Sequence, residues 1–256
     1  MKALIAVLAG SVMLSGWQMP AQTASKTITP VPLTSEHHHH LVFSNPQVRA
    51  FYVVIPVKDQ TLIHEHDVNY VWVGLGDADV VNATVNKPPV RLHSRDGMLH
   101  FSPGRFAHKA VNVGNTAYRN VTVELRQDQT NPHNLCEEVL EEKPLHCGPP
   151  KAGRFSQESG VTIEPDFATD EIEFDTVTLP AGAQETLRGA AIPPVAIALS
   201  HTTASANPVS DGSASNGTKD LKAGDVISAK TNTPLTLRNT GSAPARFLVF
   251  EFQNPR

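Results

Sequence analysis

The sequence has little of what defines several common protein classes. Its 256 residues include two cysteines, 6% aromatic and 18% charged residues, with a formal net charge of −4. Without an excess of lysine and arginine, a nucleic-acid-binding protein with a basic footprint is excluded. The 40% hydrophobic content excludes a disordered polyanion. No G-x-S-x-G, phosphate-loop or dinucleotide motif occurs, so none of these enzyme classes has support.

Long helical patterns are missing as well. The 20 prolines and 16 glycines divide the chain into short segments. Many of these are rich in Val, Phe and Tyr and alternate in polarity, which is typical of strands. We therefore predict an all-β fold, with strands at Val48–Ile55, Val68–Val73, Ala78–Val85, Met98–Phe101, Asn120–Leu125, Glu171–Leu179, Val195–Leu199 and Arg246–Phe252. The Ser/Ala/Asn-rich stretch Thr202–Gly217 is predicted to be a surface loop.

The amino terminus has the pattern of a secretory signal peptide. Lys2 precedes an apolar run, Ala3–Leu14, and small residues lead to Ala21. The run is too short for a convincing membrane span, although an uncleaved anchor is the alternative. No cysteine lies nearby, so a lipid anchor is not expected. We predict that residues 1–21 are removed and that the protein is periplasmic or secreted, without a stable membrane anchor.

The two cysteines fit an oxidising compartment. Cys136 and Cys147 flank a short acidic loop, and we predict that they form a disulfide. A loop of this size would be stabilised by about 2–3 kcal/mol on the chain-entropy model. A Cys/His metal site that uses His146 is the alternative, but it lacks a paired C-x-x-C. The polar, proline-bearing segment 128–156 is predicted to be a linker.

An internal repeat relates the two halves of the chain. Several residues of the first half recur in the same order and at nearly the same spacing in the second half. The matched pairs are Ile55-Pro56 with Leu179-Pro180, Gln60 with Gln184, Gly97 with Gly224, Asn112-Val-Gly114 with Asn239-Thr-Gly241, Arg119 with Arg246, and Glu124 with Glu251. We predict two similar β domains, 37–127 and 157–256, with a lead-in at 22–36.

Histidine is concentrated in the first half, where 11 of the 12 histidines precede Cys147. His64 and His66 are two residues apart in a segment that reads as a strand. Alternate residues of a strand point to the same face, so the two imidazoles project together. Two such rings can occupy adjacent positions on one divalent metal ion, but they need a third ligand from elsewhere.

A second histidine motif follows the first, and the two together carry a family resemblance. Gly97-x5-Pro103-x4-His108-x3-Asn112 follows the H-x-H pair. Together they resemble the cupin superfamily, whose motifs read G-x5-H-x-H-x3-4-E-x6-G and G-x5-P-x-G-x2-H-x3-N. The inner glycine is displaced by one residue, to Gly104, and Arg105 stands in its place. The resemblance implies two small β-barrel (jelly-roll) domains, with His64, His66 and His108 as metal ligands.

The first motif departs from the family at its glutamate. Asn69, Tyr70 and Val71 occupy the window where that ligand is expected. Three alternatives stay open: three histidines with solvent, a fourth ligand from Asp67 or Asn69, or no metal. Three-histidine sites resemble those of thiol, ring-cleaving and β-diketone dioxygenases among cupins. The ion could be Fe, Zn, Mn, Ni or Cu.

Other histidines are left out of the predicted site. His37–His40 would bind metal adventitiously, form a native lead-in, or derive from an introduced tag; four consecutive histidines cannot all face one site from an extended chain. His93 is predicted to lie at the surface. His100 is predicted to be a satisfied or exposed barrel residue, with a place in the cavity wall as the alternative.

The second copy lacks the ligands. By the repeat, His64 and His66 correspond to Arg188 and Ala190, and His108 to Leu235. Arginine does not lose its proton at ordinary pH, and the other two side chains offer no lone pair. This degenerate cupin domain is expected to pack on the first, shape the mouth of its cavity or mediate assembly.

These observations leave two main hypotheses on function. The first is a metal-dependent, dioxygenase-like enzyme that acts on a small organic molecule with anionic or enolisable character. The second is a non-catalytic periplasmic binding or structural module. A metal-free scaffold is the third, and the paired motifs argue against it. Cupins often pair through edge strands, so a homodimer is reasonable; no nucleic acid partner is expected.

Overall fold

The computed structural model describes residues 29–131, 133–134, 154–155, 160–188, 191–207 and 218–253. Within these ranges the chain forms strands and one 3-10 helix, Leu33–Ser35. No helix among the described residues is long and apolar enough to cross a membrane. The first ten strands are β1 Val31–Pro32, β2 His39–Ser44, β3 Val48–Ile55, β4 His64–His66, β5 Tyr70–Gly74, β6 Ala78–Thr84, β7 Val90–Ser94, β8 Leu99–Ser102, β9 Phe106–Asn112 and β10 Tyr118–Leu125.

These ten strands form the first domain, in two sheets. Sheet I has the order β1-β4-β9-β6-β7 and sheet II the order β2-β3-β10-β5-β8. All pairings are antiparallel except that of β1 with β4. Phe51, Val53 and Ile55 of sheet II pack in one buried cluster with Ala78 and Val80 of sheet I. The two sheets therefore face each other as in a jelly roll.

The second domain repeats this arrangement. Its strands are β11 His133–Asn134, β12 Arg154–Phe155, β13 Thr162–Ala168, β14 Ile172–Leu179, β15 Gln184–Leu187, β16 Val195–Ala198, β17 Thr202–Asn207, β18 Thr218–Leu221, β19 Val226–Ser228, β20 Leu235–Asn239 and β21 Ala245–Phe252. Sheet III has the order β11-β13-β14-β21-β16-β19, with β12 also paired to β13, and sheet IV the order β15-β20-β17-β18. The prediction of an all-β chain with two jelly-roll domains is confirmed.

One predicted loop is wrong in part. Thr202–Asn207, the start of the Ser/Ala/Asn-rich stretch, is a strand that pairs with β18 and β20. Its short polar side chains carry no strand signal of their own. Pairing with two neighbouring strands satisfies its backbone hydrogen bonds regardless of composition, so tertiary context overrides propensity. Residues 208–217 lie outside the described part of the chain.

The domains pack through the outer faces of sheets II and III. Side chains of strand β3 alternate between two buried faces. Phe51, Val53 and Ile55 face the interior of the first domain. Val48 and Ala50 face the second domain. Val48 and Ala50 join a buried cluster that also contains Phe174 and Phe250. Both faces of sheet II are thus buried, and one apolar core spans the two domains.

Candidate metal centre

Sheet I brings together the three histidines of the two motifs. His64 and His66 lie on β4, and His108 lies directly opposite His64 on the antiparallel neighbour β9. The ring centroids of His64 and His66 are 5.2 Å apart, and that of His108 is 4.5 Å and 5.3 Å from them. The predicted convergence of these three rings is therefore present in the structure.

A fourth imidazole joins this cluster from the facing sheet. His39 begins β2 of sheet II, opposite the inward-facing Val53. Its ring centroid is 4.7 Å from that of His64 and 6.3 Å from that of His66. His39, which is left out of the predicted site with the rest of the histidine tract, therefore lies within the cluster. Alternation along β2 does not reveal this, because a register shift between Leu41 and Phe43 places Phe43 opposite Ala50, on the face that packs against the second domain.

The other residues of the tract point elsewhere. The His37 side chain is 59% exposed, and His40 is exposed on the opposite face of β2. His38 is buried, with Nδ1 2.8 Å from the carbonyl oxygen of Val54. The argument that four consecutive histidines cannot share one site therefore holds, since only one of them reaches it.

Hydrogen bonds fix the orientation of three of the four rings through Nδ1. His64 Nδ1 is 2.9 Å from the carbonyl oxygen of Leu62, and His108 Nδ1 is 2.6 Å from Oδ1 of Asn82. Both partners are acceptors, so each ring carries its proton on Nδ1 and keeps a lone pair on Nε2. The Nε2 atoms of His64 and His108 are buried with no hydrogen-bond partner among the described residues.

The partner of His39 is a buried carboxylate. His39 Nδ1 is 2.5 Å from Oε2 of Glu36, and the Glu36 side chain is fully buried. Backbone N–H groups of His38 and Leu62 donate to the same carboxylate. Burial acts to raise the pKa of Glu36, but the bond from His39 and these backbone donors outweigh it and lower the pKa to about 2. Glu36 is thus an ionised acceptor.

Burial keeps all four imidazoles neutral near neutral pH. It lowers the pKa of His64 to about 4, with a contribution from the neighbouring His39. Burial first, and then the adjacent histidines, lower the pKa values of His66 and His108 well below their usual range. Burial lowers the pKa of His39 as well, against the opposing effect of Glu36. Neutral imidazole is the form that binds a metal ion.

His66 has a different environment from the other three. Its ring stacks on Tyr70, with centroids 3.9 Å apart, and its Nδ1 is 3.9 Å from Oε1 of Glu124. Glu124 projects from β10 of sheet II and pairs with Arg49, whose Nη2 is 2.5 Å from Oε2. Burial raises the pKa of Glu124 in spite of Arg49. This carboxylate was not singled out as a site residue from the sequence.

The cluster opens into a cavity between sheets I and II. The empty space that it outlines, part of which is open to solvent, is about 470 Å³. No lysine, arginine, aspartate or glutamate is among the described residues that line it. Besides the four histidines, its wall includes Trp72, Leu92, Tyr118, Asn120 and Thr122.

The other ligand candidates lie away from the cavity. Asp67 is exposed, and Asn69 donates a long hydrogen bond of 3.4 Å to the carbonyl oxygen of Pro103. Neither lines the cavity, so the alternative that one of them is the fourth ligand is not supported by the geometry. His100 is buried and stacks on Trp72 at a centroid distance of 4.3 Å. Cys136 and Cys147 lie outside the described residues.

The second domain has apolar packing at the corresponding position. Leu235, the counterpart of His108, is fully buried in the cluster between sheets III and IV. Arg188, the counterpart of His64, is exposed, and residue 190 lies outside the described part of the chain. The described residues of this domain bring no set of three potential ligands together.

Comparisons with known proteins give structural neighbours. No protein-family model matches the sequence, and no curated protein matches it. AerE from Microcystis aeruginosa is 12% identical at a TM-score of 0.56, over 84% of this chain and 97% of that chain. A salicylate 1,2-dioxygenase from Pseudaminobacter salicylatoxidans is 14% identical at 0.52, over 80% and 70%. An oxalate decarboxylase is 13% identical at 0.52, over 82% and 70%. At these identities the likeness establishes a shared fold.

Proposed function

We propose that this chain, a two-domain cupin by its fold, is a metal-dependent enzyme of the dioxygenase type that acts on a small organic molecule. The observation that carries the proposal is that the Nε2 atoms of His64 and His108, beside His66, are buried with no hydrogen-bond partner in the described part of the chain. A buried lone pair without a donor is unfavourable unless something occupies it. Neutral imidazole ligands suit divalent Fe, Zn, Ni or Cu, and Mn is a further candidate for the ion.

His64, His66 and His108 would hold the ion. Such an ion supplies Lewis-acid polarisation of a bound oxygen or, for a redox-active metal, activation of dioxygen. The chain's own part is to fix the rings. Leu62 and Asn82 accept the Nδ1 protons of His64 and His108 and so direct their Nε2 atoms. Ordering of this kind sets the tautomer and raises ligand basicity.

The cavity wall would position the substrate. Trp72 and Leu92 provide apolar contacts, and Asn120 and Thr122 add polar groups that fix orientation. Burial, and then the neighbouring Tyr70, raise the pKa of Tyr118, so its hydroxyl stays protonated and can donate. Since no lysine or arginine is among the described lining residues, an anionic group would find its positive charge at the ion.

A non-catalytic binding module is the second candidate. One observation favours it, which is that the described lining residues include no carboxylate to transfer a proton. Structural neighbours are a salicylate 1,2-dioxygenase, also solved with gentisate, and an oxalate decarboxylase. Salicylate, gentisate and oxalate are therefore the first compounds to test.

The test begins with metal content. Purified protein is expected to contain one divalent ion per chain by elemental analysis, and His64→Ala and His108→Ala are expected to lose it. His93→Ala is the matched control, because the His93 side chain is 59% exposed and bonded to Asp79 outside the cavity. Protein that binds no metal under any loading condition would contradict the proposal.

Activity then separates the two candidates. With metal-loaded protein, oxygen uptake on addition of salicylate or gentisate supports the dioxygenase function, and release of carbon dioxide from oxalate points to a decarboxylase. Loaded protein that transforms none of them but melts at a higher temperature in their presence is a binding module.

We also propose that the protein is exported and that Cys136 and Cys147 form a disulfide. The support is the pattern of residues 1–21 and the cysteine spacing. Fractionated cells should yield a mature chain that begins near Gln22, with no titratable thiol until a reductant is added. A chain that keeps Met1 or stays in the cytoplasm would contradict export.

A further inference from the structure

We infer that His39 is a fourth ligand of the metal ion and that Glu36 positions it, an inference that rests on the metal centre proposed above. His39 comes from β2, outside both sequence motifs and on the opposite sheet from His64, His66 and His108. The first motif lacks its glutamate ligand. An imidazole from the facing sheet would take over that coordination position.

Distances and burial support this assignment. His39, His64 and His66 each offer a ring nitrogen within 4.8 Å of one on both others. An ion about 2.1 Å from each nitrogen sets neighbouring donors roughly 3–4 Å apart, so the nitrogens need to approach one another by at most about 1–2 Å. The His39 side chain is only 5% exposed, although it is polar and β2 is an edge strand of sheet II. Its ring is held at the wall of the cavity that the other three histidines line.

Glu36 supplies the partner on one side. Its bond to Nδ1 of His39 leaves Nε2 of that ring as the donor for a metal ion. The carboxylate is held in turn by the backbone N–H groups of His38 and Leu62. Since Leu62 also accepts the Nδ1 proton of His64, one short segment orients both rings. Such carboxylate–histidine–metal arrangements are common in metal sites.

The four-imidazole site contributes no negative charge of its own. A glutamate ligand would lower the net charge of the centre by one, whereas His39 leaves the full charge of the divalent ion. The Glu36 carboxylate lies behind the ring, one hydrogen bond away from the proposed donor atom. We therefore expect the centre to retain a stronger preference for anionic ligands than a centre with a carboxylate ligand.

Metal affinity and cobalt spectroscopy test the assignment. Wild-type protein and His39→Ala are loaded with Co(II) in competition with a chelator. The expected result is a loss of affinity of at least about 10–100-fold in His39→Ala, with an altered visible spectrum, because one nitrogen donor is gone. His40→Ala is the matched control: it lies next in the chain and is exposed on the other face of β2. It should bind Co(II) as the wild type does.

Variants of Glu36 test its positioning role. Glu36→Ala should weaken Co(II) binding by about 10–100-fold, the range for loss of such a partner. Glu36→Gln keeps an acceptor oxygen for His39 and should fall between Glu36→Ala and wild type. Added imidazole should restore the Co(II) spectrum of His39→Ala, which a purely structural role would not produce. Circular dichroism checks that each variant is folded.

The outcomes separate this inference from the function proposed above. If His39→Ala keeps the affinity and spectrum of the wild type while His64→Ala loses the metal, His39 is not a ligand and the three-histidine centre stands. If His64→Ala also keeps the metal unchanged, the proposed centre itself is wrong.

Discussion

Asn112 and Asn239 make the same hydrogen bonds in the two domains. Asn112 Nδ2 donates to the carbonyl oxygens of Ile55 and Thr116 at 2.9 and 2.8 Å, and Asn239 Nδ2 donates to those of Leu179 and Ala243 at the same two distances. The Oδ1 atom of each accepts the backbone N–H two residues later. The asparagine that ends the second histidine motif is therefore a structural residue, and it is also present in the domain that lacks the histidines.

Asn239→Ala should destabilise the second domain because it leaves the buried carbonyl oxygen of Leu179 and the partly buried one of Ala243 without their donor. The expected loss in the free energy of unfolding is about 2–3 kcal/mol. Urea denaturation measures it. Thr240→Ala, which removes an adjacent exposed bond to Thr203, is the control and should cost less than about 1 kcal/mol. Equal effects of the two substitutions would contradict the structural role of Asn239.

Gly104 should tolerate no side chain. Its φ is +66°, and a Cβ would lie 2.0 Å from the carbonyl oxygen of Val68, next to His66. Gly104→Ala is expected to cost about 3 kcal/mol or more, by thermal or chemical denaturation. Gly182→Ala is the control, because its φ of +77° is similar but open space surrounds it. It should cost only about 1 kcal/mol, and a similar loss in both would refute the clash.

Because the motif glycine is displaced to Gly104, Arg105 has a backbone conformation that favours glycine. It stands where the motif has glycine and adopts φ 61°. Arg105→Gly removes the strain, worth roughly 1 kcal/mol, but increases the freedom of the unfolded chain by a similar amount. Its exposed pair with Asp128 adds little. We expect a change within about 1 kcal/mol by urea denaturation; a larger loss would show that the arginine side chain has a role of its own.

The Arg49–Glu124 pair should contribute to stability because Arg49 compensates the charge of a buried carboxylate. The Glu124 side chain is 1% exposed, and that of Arg49 is 28% exposed. Arg49→Met leaves a buried carboxylate without a partner and should cost about 2 kcal/mol, below the range for fully buried pairs because Arg49 is partly solvated. Arg49→Met with Glu124→Met should recover most of that loss in the same denaturation experiment.

The control for this pair is Arg91, which pairs with Asp79 at the surface. Arg91→Met should change the free energy of unfolding by less than about 1 kcal/mol. A double variant at Arg49 and Glu124 no more stable than Arg49→Met would contradict the explanation.

The shared core should couple the two domains during unfolding. Trp17 and Trp72 are the two tryptophans of the chain. Trp17 lies in the segment proposed to be removed, so fluorescence of the mature protein reports on the first domain through Trp72. Phe174→Ala removes a fully buried ring of the second domain and should cost about 3–5 kcal/mol. We expect the Trp72 transition to shift by the same amount. A Trp72 transition that does not move, as expected for exposed Thr186→Ala, would show independent domains.

The sequence by itself determined most of the strands and which histidines share one sheet. Alternation located β3 at its observed bounds, and the spacing of His64 and His66 required both rings on one face. His108 lies on the neighbouring strand β9. The internal repeat could be detected in the sequence because Asn112 and Asn239 make equivalent hydrogen bonds in the two domains. These features depend on local geometry, which a strand imposes wherever it lies.

Tertiary structure alone decided which further residues join the site. His39 reaches the cluster because β2 pairs with β3 and sheet II folds over sheet I, and Glu124 approaches His66 from β10 in the same way. The alternation of side chains along one strand does not show which strand of the other sheet it faces. The pairing of β17 was missed for the same reason, since its backbone bonds come from strands distant in the chain. The positions of these residues depend on contacts between segments distant in the chain, which form because the sheets bury apolar surface against each other.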